Sequence, residues 1–137
     1  MKWDDSTFRL KTEAIIAAFY KVHKDLGPGF LEEAYHNALL IELKKNFEVS
    51  SEKEFPVIYQ GSEVSKYIPD IFIEDGIIVE VKAVKDLNEI HKAQLISQLR
   101  VTGALIGFLV NFSNKDLEFK RLDNFYEIER KGLKIPD

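Results

Sequence analysis

The chain has no cysteine, which removes disulfide-stapled folds and every metal site built on thiolates, zinc ribbons included. Long apolar runs are also missing. No stretch reaches the roughly 18 residues of a membrane span, and the opening "MKWDDSTFRLK" has none of the apolar core of a secretory signal. We therefore expect a soluble, cytoplasmic protein with no membrane partner. Positive charge is not in excess: 19 Lys and Arg against 23 Asp and Glu leave a formal net charge of −4. That balance argues against a protein coating phosphate backbone over its whole surface, yet leaves room for a local basic groove. The pairs Lys44-Lys45, Lys120-Arg121 and Arg130-Lys131 read as solvated faces. With no repeat, low-complexity stretch or linker, residues 1–137 form one domain, large enough for a single core burying about two-thirds of the unfolded surface.

What is present is a clear sequence of periods. Apolar residues at helical spacing run from Thr7 to Lys24 through Leu10, Ala14, Ile15, Ala18, Phe19 and Val22, and "GPG" at 27–29 stops them. A second helix follows in "FLEEAYHNALLIELKKNF", with Leu31, Ala34, Tyr35, Ala38, Leu39, Ile41 and Leu43 on a broad stripe. Three or four strands come next: one near Val49–Glu54, one over Phe55–Tyr59 that could continue it, one ending at Ile73, and Ile77–Val84. Asn88–Val101 returns to helical spacing. "ALIGFLVNF" is a short apolar strand, "LEFKRL" reads as an edge strand, and the tail from Asp123 as a short helix or irregular chain. The order is ααβββαββ, an α/β fold.

The strand "GIIVEVKAV", residues 76–84, carries two charges inside an apolar run. Side chains alternate, so Val79, Val81 and Ala83 share one face while Ile78, Glu80, Lys82 and Val84 share the other. The preceding turn decides what Glu80 meets. A three-residue loop, Glu74-Asp75-Gly76, pairs Ile73 with Ile77 and puts Asp70 opposite Glu80. A two-residue loop would flip the face and turn Asp70 away. We read the three-residue loop, with Gly76 in the left-handed region. Two opposed carboxylates repel unless something positive lies between them. Lys82 and a divalent cation are the two candidates, and a purely structural Asp70-Glu80-Lys82 cluster is the alternative to a functional one.

"PD" at 69–70 followed by "EVK" at 80–82 resembles the signature of the PD-(D/E)XK nuclease superfamily. "LGPGFLEEAY" at 26–35 further resembles the GxxExxY protein family, with Gly29, Glu32 and Tyr35 at that spacing. The likeness continues through "VHKDLGPG", "IVEVKAV", "HKAQL" and "GFLVNF" and covers roughly residues 15–122. It implies a restriction-endonuclease-like core: a central mixed sheet with the first two helices on one side and the helix near 88–101 on the other. It also implies that Asp70 and Glu80 bind Mg2+, with Mn2+ as a substitute, joined by Glu32 directly or through water. Lys82 would orient the attacking water and stabilise charge on the phosphate. Gln94 would contact the substrate backbone or order a water. Tyr35 is carried as a substrate-binding candidate, although a packed aromatic with a partnered hydroxyl is the plainer reading. His23, His36 and His91 read as structural or surface residues. Gln98 stands where relatives tend to have tyrosine.

The implied activity is Mg2+-dependent hydrolysis of nucleic acid, DNA ahead of RNA. A catalytically silent module that binds nucleic acid or a protein partner is the alternative. A homodimer is compatible with cutting both strands of a duplex.

Overall fold

A computed structural model describes residues 5–74 and 76–133. Two helices lead, α1 (Asp5–Leu26) and α2 (Glu32–Lys44), followed by strands β1 (Val49–Ser50), β2 (Phe55–Tyr59), β3 (Ser62–Tyr67), β4 (Ile71–Ile73) and β5 (Ile77–Lys82). Helix α3 (Glu89–Thr102) precedes β6 (Ile106–Asn111), β7 (Glu118–Asp123) and the short α4 (Phe125–Arg130). Five strands form a sheet in the order β1-β4-β5-β6-β7, and β2 and β3 form a separate two-stranded sheet. The large sheet is mixed: β5 and β6 run parallel, while the other neighbours are antiparallel. Helix α3 is the crossover that a parallel pair requires.

Five strands therefore lie between α2 and α3, against three in the expected order, and α4 closes the chain. Residues Val49–Glu54 are not one strand: only Val49–Ser50 pairs, with β4. Phe55–Tyr59 does not continue it but folds back on Ser62–Tyr67. Gln60 and Gly61, both at positive φ (48° and 80°), make the two-residue turn whose twist suits a hairpin.

The sheet divides the core into two layers. Ile77, Val79 and Val81 face α1 and α2, packing with Ile15, Phe19, Val22, Tyr35, Leu39 and Leu43. Ile78, Phe72 and Leu109 face Leu95 and Leu99 of α3. Each such buried side chain contributes about 1.5–3 kcal/mol. Interior strand β6 is buried on both faces, which is why "IGFLVN" shows no alternation. Gly107 keeps the α3 interface close: a Cβ there would lie 2.9 Å from Leu95 Cδ1. The helical stripes are narrower than the periodicity suggested, since Leu10, Leu31, Ile41, Ile90 and Ile96 are exposed.

Candidate active site

The β4–β5 connection is the three-residue one. Ile73 pairs with Ile77, Phe72 with Ile78 and Ile71 with Val79, so the next position sets Asp70 against Glu80. Glu74 adopts φ 48° and the Gly76 amide donates to the Ile73 carbonyl at 3.3 Å; Asp75 lies outside the described residues. Beyond Ile71 the backbone ladder stops, because Pro69 has no N–H to give. Side chains replace it. The Asp70 amide donates to Glu80 Oε2 at 2.8 Å, and the Val81 amide donates to Asp70 Oδ2 at 2.8 Å. The strand end is thereby closed by the two carboxylates, which sit side by side on the α3 side of the sheet.

Their environment raises both carboxyls. Glu80 is only 7% exposed. Burial, and after it the charge of Asp70, pushes its carboxyl up to about 7, against the pull of the Asp70 amide, the Tyr67 hydroxyl and Lys82. Burial likewise raises Asp70, opposed by the Val81 amide and by His36 and Lys82. Lys82 is thus near enough for its charge to act on both. Among the described residues it makes no ion pair with either.

Glu32, exposed at the start of α2, reaches this strand: its Oε1 accepts from the Ala83 amide at 3.3 Å, and its charge raises Asp70. Tyr35, one turn on, goes elsewhere. It is fully buried, stacks on Phe112 with ring centroids 4.8 Å apart, donates to the Gly27 carbonyl at 2.6 Å and accepts from the Phe30 amide at 3.1 Å. Its hydroxyl is spent on the glycine loop, where Gly29 takes φ 112°, a value side chains rarely adopt. A substrate contact for Tyr35 is not what this geometry offers. Gln94 is exposed on α3 with no hydrogen bond among the described residues.

The histidines resolve into positioning roles. His36, read from sequence as surface, is partly buried and donates from Nε2 to the Asp70 carbonyl at 2.8 Å. His23 Nε2 meets the Asn114 carbonyl at 2.8 Å. His91 Nδ1 accepts from the Asn88 amide while Asn88 caps α3, forming a reciprocal capping box. Among the described residues, Gln98 Oε1 is buried without a hydrogen-bond partner.

Tyr67 is the residue sequence reasoning missed. From β3 its hydroxyl donates to Glu80 Oε1 at 2.8 Å, and burial followed by the Glu80 charge raises its pKa, keeping it protonated. The only sequence signal was its place three residues before Asp70.

Asp70 and Glu80 offer the hard oxygen donors that Mg2+ prefers, and a cation beside them would relieve one buried and one half-buried carboxylate that no ion pair neutralises among the described residues. Among the described residues no three His, Asp or Glu side chains converge as a metal centre; Glu32 does not complete a closed cage. Two carboxylates, with water and phosphate supplying the rest, is nevertheless a common way to hold Mg2+. The donor set fits the ion on those terms.

Comparison with known proteins agrees with this fold. The solved structure of SSO0001 is similar with a TM-score of 0.55 and 26% identity, covering 73% of this chain and 55% of that one. The chain thus spans little more than half the length of that neighbour. No curated protein matches. Among the described residues no helix is long and apolar enough to cross a membrane. The family model of the PD-(D/E)XK nuclease superfamily matches residues 9–122, a span that holds Glu32, Asp70, Glu80, Lys82 and both layers of the core, and the chain belongs to that superfamily.

Proposed function

We propose that the protein hydrolyses phosphodiester bonds of nucleic acid, DNA in preference to RNA, with Mg2+ or Mn2+ held by Asp70 and Glu80. One observation carries the reading: the buried Glu80 and half-buried Asp70 carboxylates stand side by side near Lys82, which makes no ion pair with either among the described residues. In the reaction a water oxygen bonds to phosphorus and gives up a proton to solvent, while the bond from phosphorus to one sugar oxygen breaks and that oxygen takes up a proton from solvent to leave as a hydroxyl. The cation would supply charge neutralisation at the phosphate and acidify the attacking water. Lys82, a compact point charge, attracts the scissile phosphate and stabilises charge that develops on its oxygens. Asp70 is kept in place by the Val81 amide and, through its carbonyl, by His36. Glu32 ties the start of α2 to the strand just beyond Lys82, where it can join the site through a water. Gln94 remains a candidate for the substrate backbone, and cutting both strands of a duplex would call for two copies of the chain. The GxxExxY spacing supports placing the chain in that family.

Purified protein with Mg2+ or Mn2+ is tested on single- and double-stranded DNA and RNA beside Lys82→Ala. Cleavage by the wild type and a loss of at least about a hundredfold in the variant are expected, the scale typical of removing a group that stabilises transition-state charge. Cutting indistinguishable from Lys82→Ala would sink the proposal. The rival reading, a nuclease fold that binds without cutting, is favoured by the absence of three converging ligands among the described residues. Salt-dependent binding without cleavage would establish it.

A further inference from the structure

Glu80 is held by two groups of different origin. Oε2 accepts from the amide of Asp70, the residue just before β4 of its own sheet, whereas Oε1 accepts from Tyr67, which belongs to the β2–β3 sheet. We propose that Tyr67 is a positioning residue whose hydroxyl fixes the orientation of the Glu80 carboxylate, and so the way the Asp70-Glu80 pair presents oxygen to a divalent cation. The proposal rests on reading that pair as the centre of phosphodiester cleavage.

The need for such a group follows from side-chain freedom. The terminal torsion of a glutamate is broad and nearly two-fold, so a single hydrogen bond to Oε2 leaves the carboxylate plane free to swing. A second donor on the other oxygen removes that freedom and leaves the remaining lone pairs aimed in set directions. Partners of this kind orient ligands and tune their basicity. Tyr67 is suited to it because its own position is fixed independently of the hydroxyl. It stands opposite Phe55 in the hairpin register. Phe55 packs on Phe72, with centroids 5.4 Å apart, and Lys53 Nζ lies 4.5 Å from the Phe72 ring. Phe72 is two residues from Asp70 on the same strand face. The hairpin root is thereby anchored beside the carboxylates by apolar contacts, and the hydroxyl is left to act on Glu80. The bond also joins two sheets that share no backbone ladder, so the position of the hairpin is communicated to Glu80 through one oxygen.

The test measures Mn2+ affinity by titration calorimetry on EDTA-treated protein for the wild type, Tyr67→Phe, Glu80→Gln and Phe55→Leu, with melting temperatures for each. Phe55→Leu loosens the same hairpin root but keeps the hydroxyl. Tyr67→Phe is expected to weaken Mn2+ tenfold to a hundredfold, the usual effect of losing such a partner, and to lower kcat for nucleic-acid cleavage while leaving KM unchanged. Phe55→Leu is expected to bind Mn2+ as the wild type does. Wild-type affinity in Tyr67→Phe, beside abolished binding in Glu80→Gln, overturns the role of Tyr67 and leaves the cation site standing. An equal loss in Tyr67→Phe and Phe55→Leu overturns it too, since a loosened hairpin would then account for both. A wild type that binds no Mn2+, with or without nucleic acid, overturns the cation site and the proposal together.

Discussion

Replacing Glu80 by glutamine should stabilise the metal-free protein at alkaline pH. The Glu80 carboxyl rises from an ordinary 4.5 to about 7 on folding, chiefly through burial. Its native value lies above its unfolded value, so between these two pH values the folded chain holds more protons than the unfolded one, and stability falls as pH rises through that window. Above it the loss is complete and amounts to about 3 kcal/mol, at about 1.4 kcal/mol per pH unit. Asp70, also raised by burial, acts in the same direction. Glutamine avoids the charge and keeps the contacts: its carbonyl oxygen accepts from the Asp70 amide, and its NH2 donates to the Tyr67 oxygen once that hydroxyl turns. Allowing about 1 kcal/mol for imperfect geometry, Glu80→Gln should gain about 2 kcal/mol at roughly pH 8.5 in EDTA, or about 5–10 °C in Tm for a chain of this size. Near pH 5 the gain should vanish. Adding Mg2+ should reverse the order, because only the wild type binds and is stabilised by mass action. Calorimetric melts across pH, with EDTA and with Mg2+, read all of this. A Glu80→Gln protein no more stable than wild type at alkaline pH in EDTA would refute the reasoning.

Two further substitutions probe the frame around the site. Tyr35→Phe removes the hydroxyl bridging the Gly27 carbonyl and the Phe30 amide, so denaturant unfolding should show a loss of about 1–3 kcal/mol, with Mn2+ affinity of the folded protein unchanged; an affinity loss without a stability loss would return Tyr35 to the site. Gly107→Ala puts a Cβ 2.9 Å from Leu95 Cδ1 and 3.2 Å from Leu99 Cδ2, and overpacking of this kind should cost about 1–3 kcal/mol; an unchanged midpoint would mean that α3 shifts freely on the sheet.

The GxxExxY spacing acquires a physical meaning from these contacts. Gly29 supplies a positive φ, Tyr35 pins the loop that contains it, and Glu32 is delivered to the strand beyond Lys82. Three residues spaced three apart thus serve a backbone conformation, a loop anchor and a long-range contact.

Sequence alone determined whatever local rules govern. Period 3.6 marked α1, α2 and α3, the unbroken apolar run marked β6, and period-two alternation reduced the Asp70-Glu80 pairing to a choice between two loop lengths, of which the fold takes the three-residue one, because a hairpin register is fixed by the loop between its strands. Tertiary structure decided everything with large chain separation. Whether Phe55–Tyr59 extended β1 or turned back was open in the sequence, since β-propensity does not say which partner a strand takes. That His36 would support Asp70, 34 positions away, that Glu32 would meet Ala83, 51 positions away, and that Tyr67 would arrive from a separate sheet to grip Glu80 depended on how α2 and the hairpin dock. Docking is governed by the fit of whole buried faces, a property of the assembled core that no local pattern encodes.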